Sequence, residues 1–391
     1  MDAINTADFV AFESQDGAGA ANEFVERTGV RIYSGRRRAR GAATNAPGRF
    51  ERNARMPVRE GPAFGDDVTE LEELTPFKTE VQTERPRSII SRNASPDLSF
   101  DRSINPYRGC EHGCVYCYAR PSHAYVGLSA GLDFEQKLFA KDGAADILRK
   151  ELAAKNYEPR TIALGANTDP YQPIERKRRI TREILEVLDE ANHPVGIVTK
   201  SALVERDIDI LSSMAKRGLV KVAISITTLD PELSRKLEPR APTPARRLET
   251  IRRLSEAGVP VSVMVAPIIP GLTDFEVERI LEASATAGAS EAGYVMLRLP
   301  REVASLFKDW LLRNAPDRYR HVLSLLRSMR GGKDYDADFG KRQTGMGPYA
   351  WQIGRRFEIA TRRLKLNIAR KSLDGSQFKA PKAAGAQLAL L

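Results

Sequence analysis

Between about residue 103 and residue 300 the chain alternates short apolar, β-branched runs with amphipathic helical patterns, and nothing else limits its fold so strongly. Candidate strands are Ser103–Arg108, Thr161–Ala166, Val195–Thr199, Val220–Thr227, Val259–Pro267 and Gly293–Leu299. Helical patterns lie between them at Ala144–Lys155, Thr181–Ala191, Val204–Arg217, Pro244–Ala257 and Asp274–Ala287. Strands that are apolar throughout suit a parallel sheet, whose two faces are both covered by helices. Repeated strand–helix units imply right-handed crossovers, and hence an α/β barrel. About six units are too few for the usual eight-fold closure, so the expected fold is α/β, a partial (β/α)6 TIM-like barrel.

The flanks read differently. Residues 1–85 have little apolar periodicity, a Gly/Ala stretch at Gly17–Ala21 and an arginine cluster at Arg36–Arg40. That composition predicts a mostly disordered or loosely docked extension, leaving 86–300 as the barrel core and 301–391 as a basic helical C-terminal region. In this last part Arg301–Asn314 and Arg318–Met329 have helical patterns, followed by a glycine-rich stretch and a final helix near Tyr349–Lys371. On that helix Ile353, Phe357, Ala360, Leu364 and Ile368 fall at helical spacing, as a core-packing stripe would.

The net charge of +10 gathers at the end of the chain: from Arg301 onward there are 19 Lys and Arg against 8 Asp and Glu. A basic third of this kind is either a nucleic-acid footprint or a solvated helix face. No apolar run approaches the roughly 20 residues of a membrane span. The first residues contain acids and lack a basic start followed by an apolar stretch, so a soluble, cytoplasmic protein without membrane partners is expected.

All three cysteines, Cys110, Cys114 and Cys117, sit in one eight-residue window, spaced Cys-x3-Cys-x2-Cys. An odd, closely spaced set cannot form a disulfide framework. It can place thiolates on three corners of a cubic iron–sulfur cluster, leaving the fourth iron open for chemistry. Gly109 and Gly113 let the backbone fold tightly around such a group. The loop follows the first strand at its C-terminal end, where α/β barrels keep their active sites. A zinc site completed by His112 or His123 is the alternative, although zinc usually takes two ligand pairs separated by a longer loop.

The string NPYRGCEHGCVYCYAR resembles the signature of the radical S-adenosylmethionine (SAM) superfamily, in the branch that includes spore photoproduct lyase. The resemblance covers roughly Ser88 to Met346. It is supported by LGANTDPYQPIE, VTKSALVERDIDIL, KLEPRAPTPARRLETIRRLSEAGVPV and VAPIIPGLTD.

The resemblance implies a [4Fe-4S] cluster on Cys110, Cys114 and Cys117, whose open iron chelates SAM. Reductive cleavage then yields a 5′-deoxyadenosyl radical that abstracts hydrogen from a substrate. It further implies an electron donor such as flavodoxin or ferredoxin, with Tyr116 packing near the adenine. Gly165 and Asn167 occupy the position for contacts to the methionine amino group, where Asn-Thr-Asp replaces the usual Gly-Gly-Glu. The contribution of Asp169 stays open, because it can simply shape the turn before Pro170. Lys200 and Ser225 match positions that contact the cofactor's carboxylate and ribose. Arg235 or Arg240 can pair with the carboxylate, or instead with Glu232 or Glu238. Lys200 at a barrel mouth is costly without an anion.

With no cysteine beyond these three, a second cysteine-ligated cluster is excluded within the chain. The lyase also employs a further cysteine as hydrogen donor, so repair of its DNA lesion is not expected here. Three readings follow: a radical SAM enzyme of unassigned substrate, with nucleic acid one candidate; a nucleic-acid-binding protein with a structural or redox-sensing cluster; and a zinc-stabilised scaffold.

Overall fold

The computed structural model describes residues 40–50, 78–369 and 372–381. Among them are ten strands: β1 (Glu80–Thr83), β2 (Ile90–Arg92), β3 (Arg102–Ile104), β4 (Tyr107–Arg108), β5 (Lys137–Ala140), β6 (Ile162–Leu164), β7 (Val195–Thr199), β8 (Val220–Ile226), β9 (Val261–Ile268) and β10 (Glu291–Met296). The main helices are α1 (Ala144–Leu152), α2 (Ile180–Glu190), α3 (Ile208–Lys216), α4 (Pro231–Leu237), α5 (Pro244–Glu256), α6 (Val277–Thr286), α7 (Glu302–Asn314), α8 (Tyr319–Ser328) and α9 (Gly347–Arg363).

One seven-stranded sheet has the order β10-β9-β8-β7-β6-β3-β2, parallel except for the antiparallel edge strand β2. Its six parallel strands are the six expected from sequence, each followed by a helix before the next. One face of the sheet is closed by apolar side chains, since Val220, Val222, Ile224, Val261, Val263 and Val265 alternate along two paired strands and are all buried, whereas the intervening Lys221, Ala223, Ser262 and Met264 on the other face are only partly so. On α2, Ile180, Ile184, Leu185 and Leu188 form one stripe and are fully buried. Each such side chain contributes about 1.5–3 kcal/mol of burial.

The first expected strand, Ser103–Arg108, is split. Pro106 lacks an amide for the ladder, so β3 ends at Ile104 and Tyr107–Arg108 pairs antiparallel with β5 in a separate small sheet, β1-β5-β4. β1, β2 and β5 are only three or four residues long, too short to show a period in the sequence. Two helices begin later than their patterns, because Ala202–Asp207 and Asp274–Glu276 wind as 3₁₀ turns first.

The last helix ends at Arg363, eight residues short of the expected Lys371. Lys365 and Asn367 take positive φ angles there, and Asn367 turns its amide onto the open edge of β10. It accepts from Ala292 N at 2.9 Å and donates to Ala292 O at 3.1 Å. The stripe therefore holds at Ile353, Phe357 and Ala360, whereas Ile368 is exposed.

Three arginines of the basic C-terminal region pair with carboxylates from earlier in the chain. These arginines are three of the 19 cations there: Arg342 makes a bidentate pair with Asp97 (2.6 and 2.7 Å), and Arg356 another with Glu278 (2.6 and 2.7 Å). Arg363 pairs with Glu282, so α9 is bound to α6 along its length. Most of the expected 1–85 extension, including Arg36–Ala39, lies outside the described residues. Within them, the amides of Gly41 and Ala42 bond Glu135 at 3.0 and 2.8 Å, and β1 pairs with β5. Among the described residues no helix is long and apolar enough to cross a membrane.

Candidate functional site

The cysteine loop lies where β3 opens onto the C-terminal end of the parallel sheet, and a buried arginine shapes it. Arg120 is fully buried and gathers the loop by donating to Cys114 O, Ala130 O, Gly131 O and Gly113 O (2.9–3.2 Å). Its charge is met by Glu135, also fully buried, at 2.6 Å. Gln172, from the loop after β6, brackets the turn, accepting from Glu111 N (2.9 Å) and donating to Gly109 O (3.1 Å). Gly109 and Gly113 both have positive φ. A Cβ on Gly109 would stand 2.5 Å from Leu138 and one on Gly113 2.8 Å from Glu135, so side chains are excluded there.

The thiols held in this way are free; Cys110 and Cys114 are buried, and Cys117 is partly so. Burial pushes all three above the ordinary thiol range, and for Cys110 the charges of Asp169 and the neighbouring thiols add to it. Backbone N–H groups counter this: that of His112 lowers Cys110, and those of Ala119 and Arg120 lower Cys117, the Arg120 amide bonding Cys117 O at 3.2 Å. Buried sulfurs with backbone amides near them fit a thiolate-ligated cluster, whose metal would hold the sulfurs deprotonated. The zinc alternative is poorly served. His112 Nδ1 lies 3.3 Å from Asp169, and His123 Nε2 lies 2.9 Å from Lys137 O. Among the described residues no three His, Cys, Asp or Glu side chains gather around one ion, whereas a cubane asks each thiolate to reach an iron of its own.

Around the loop the strand ends converge. Gly165 ends β6 with φ +90°, and a Cβ there would meet Val198 O at 2.4 Å, so only glycine lets this turn lie against β7. Asn167 has its amide fixed by Asn105 Oδ1 at 2.8 Å. Asp169 is more than a turn former. It accepts from the Thr199 hydroxyl (2.7 Å) and the Lys200 amide (2.8 Å), tying the β6 loop, the end of β7 and His112 together. Burial pushes its carboxyl up, but His112 and these donors outweigh it and hold it below the ordinary value.

Lys200 and Ser225 are brought together, with Lys200 Nζ donating to Ser225 Oγ at 2.8 Å and to Ala266 O at 3.2 Å. The lysine does not depend on an outside anion for its charge, because Glu238 lies 3.7 Å away. Glu238 is buried and receives the Tyr116 hydroxyl, the Thr227 hydroxyl (2.7 Å) and the Arg247 guanidinium. Tyr116 is thus buried against this network, with Lys200 Nζ 5.9 Å from its ring centre.

The two remaining arginines go elsewhere. Arg235 is exposed on α4, away from the cluster. Arg240 pairs with Glu111 at 2.9 Å, neither Glu232 nor Glu238 being its partner.

Sequence reading missed Glu238 as a hub, and Arg120 and Arg247 altogether. Arg247 left a legible signal, since it sits four residues before Ile251 and seven before Leu254, on the apolar face of α5. A charge on that face needs a buried counter-charge.

The family model described as "Radical SAM superfamily" matches residues 104–283, from the end of β3 into α6. An uncharacterised protein of Mycobacterium tuberculosis strain H37Rv is 38% identical over 230 residues, covering 58% of this chain and 68% of that one. A radical SAM Nα-GlyT isomerase of Pseudomonas phage M6 is 26% identical over 218 residues, 51% of this chain and 42% of the isomerase. Among solved structures, spore photoproduct lyase complexed with dinucleoside spore photoproduct superposes with a TM-score of 0.52 at 15% identity, over 73% of this chain and 79% of the lyase. The lyase likeness is one of fold. Taken with the matched span and the extent of the mycobacterial similarity, it leaves one conclusion: the chain belongs to the radical SAM superfamily of enzymes.

Proposed function

We propose that Cys110, Cys114 and Cys117 ligate a [4Fe-4S] cluster whose open iron binds SAM, and that the chain uses it to abstract hydrogen from a substrate. The observation that carries this reading is the set of three free thiols, two buried and one partly so, gathered on one loop at the open end of the six parallel strands. When bound, cluster and SAM together supply a reductively generated 5′-deoxyadenosyl radical.

The chain's own residues hold and shield. Arg120 and Gln172 fix the loop that presents the thiolates. Lys200 and Ser225, with Asn167 and Gly165 at the neighbouring strand end, would hold the methionine and ribose groups of the cofactor. Tyr116 closes the floor beneath it, its hydroxyl bound to Glu238. Asp169 keeps the Lys200 backbone in place and Glu238 balances the lysine's charge, so both act as positioning residues. Arg235 and Arg240 have no part in this assignment. The buried position of the thiols excludes water from the reducing site.

The electron donor, of the flavodoxin or ferredoxin class, belongs to the same proposal. For a nucleic-acid substrate the basic C-terminal third offers fewer free cations than its composition suggests, because Arg342, Arg356 and Arg363 pair with carboxylates of the same chain. Anaerobic reconstitution should give about four irons per chain, and dithionite with SAM should then release 5′-deoxyadenosine. Full iron loading without that product would instead favour a structural or redox-sensing cluster. A colourless protein carrying stoichiometric zinc would end both readings.

A further inference from the structure

Arg298 stands two residues beyond β10, where the last parallel strand opens onto the same mouth as the cysteine loop. Its guanidinium lies between two tyrosines, 5.2 Å from the ring centre of Tyr118 and 5.9 Å from that of Tyr335. Tyr118 directly follows the last cysteine, and its hydroxyl is tied to Ala166 O beyond β6. The arginine is thereby held at the junction of the cysteine loop, the β6 loop and the C-terminal segment.

The protein does little to satisfy this cation. Nη1 reaches Gln343 Oε1 only at 3.5 Å, Nη2 reaches the Tyr335 hydroxyl at 3.2 Å, and Nε is buried with no acceptor. Arg330, 1% exposed and close enough to feel the charge of Arg298, donates to Leu297 O (3.1 Å) and Lys341 O (2.7 Å), and its Nε also lacks an acceptor. Among the described residues neither arginine has a carboxylate at ion-pair distance. The contrast with nearby Arg342 is sharp, since Arg342 is fully paired with Asp97. Partly buried guanidinium groups without counter-charge are unfavourable unless an anion completes them. A fork held between aromatic rings is pre-organised for the planar, bidentate geometry of an oxyanion.

We infer that Arg298 anchors an oxyanion of the substrate, a phosphate or a carboxylate, at the mouth beside the cysteine loop. Arg330 supplies a second positive charge near the anchor, and the ring of Tyr118, partly exposed, flanks the bound group. The inference rests on the proposal that this mouth is where substrate is processed, but the binding itself is measurable without turnover.

The test is calorimetric titration of the full-length, anaerobically reconstituted chain with inorganic phosphate and, separately, with succinate. Wild type, Arg298→Gln, Arg298→Lys and Tyr335→Phe are compared, with iron content and thermal midpoint recorded for each. One of the two anions is expected to bind the wild type. Arg298→Gln should weaken that binding about tenfold or more, with Arg298→Lys falling between, because lysine keeps the charge and loses the fork. Tyr335→Phe should weaken it severalfold while leaving the fold intact, and it decides the matter if the arginine variants do not fold. A preference for phosphate assigns a phosphorylated substrate, and a preference for succinate a carboxylate one. Failure of both anions to bind the wild type, or equal binding by the variants, overturns the inference. Release of 5′-deoxyadenosine by the same wild-type preparation is a separate readout: its absence alongside Arg298-dependent binding would count against the radical chemistry and leave the anion site standing.

Discussion

Glu238 and Arg247 form an ion pair sealed inside the barrel, each 1% exposed, and the same carboxylate receives the hydroxyl of Tyr116 from the cysteine loop. This pair connects the buried side of α5 to the floor of the proposed cofactor site. It also balances Lys200, which lies 3.7 Å from Glu238.

The pair sets an acid limit on stability. Burial pushes the Glu238 carboxyl up, but the charges of Arg247 and Lys200 outweigh it and bring its pKa down to about 2. A carboxyl depressed on folding contributes its stability above the unfolded pKa of roughly 4.3, and that contribution is lost as pH falls toward 2. The contribution is on the order of 3 kcal/mol. Urea midpoints measured between pH 6 and pH 2.5 should therefore fall more steeply for wild type than for Glu238→Gln. At neutral pH that variant should be destabilised by about 3–5 kcal/mol, because Arg247 is left buried and unpaired. Parallel pH curves for the two proteins would remove Glu238 from this role.

Two glycines with similar φ angles should respond very differently to alanine. Gly165 has φ +90° and a Cβ there would collide with Val198 O at 2.4 Å and Pro170 at 2.7 Å. Gly143 has φ +79° with nothing within 4 Å. Gly143→Ala should cost about 1–2 kcal/mol of backbone strain alone. Gly165→Ala adds a clash with a strand backbone and should cost clearly more, with weaker SAM binding besides. Chemical denaturation of the two variants side by side decides it, and equal losses would contradict the close approach of the β6 and β7 ends.

Serine at Cys110, Cys114 or Cys117 should leave secondary structure intact by circular dichroism. Reconstituted iron should nevertheless fall well below the wild-type value of about four per chain, and 5′-deoxyadenosine should be undetectable. Arg120→Ala should lose iron by a different route. It removes the donors that gather the loop carbonyls and breaks the buried ion pair with Glu135, so a drop of about 3–5 kcal/mol in stability accompanies the loss.

Asp169→Asn separates positioning from ligation. Asp169 touches no cysteine by hydrogen bond, yet it fixes His112, the Thr199 hydroxyl and the Lys200 amide. The variant should keep its iron while 5′-deoxyadenosine forms about ten- to a hundredfold more slowly, since a small displacement of a positioning group costs that much. Iron lost in parallel with activity would make Asp169 part of the cluster scaffold instead.

The α/β class, the six parallel strands and their order along the chain were all legible in the sequence, because β-branched apolar runs and helical stripes report burial locally. The cysteine loop was legible for the same reason: spacing and two glycines suffice to bring three thiols together. The break at Pro106 could have been read, since a residue without an amide cannot continue a ladder. What only the tertiary structure decided is where the charges go. Glu111, not Glu232 or Glu238, takes Arg240; Glu238 takes Arg247 and supports Lys200; Arg342, Arg356 and Arg363 pair with Asp97, Glu278 and Glu282; and Arg298 has no carboxylate at ion-pair distance among the described residues. A pattern of apolar residues fixes which face of an element is buried, but an ion pair depends on which distant side chains meet once those faces have packed.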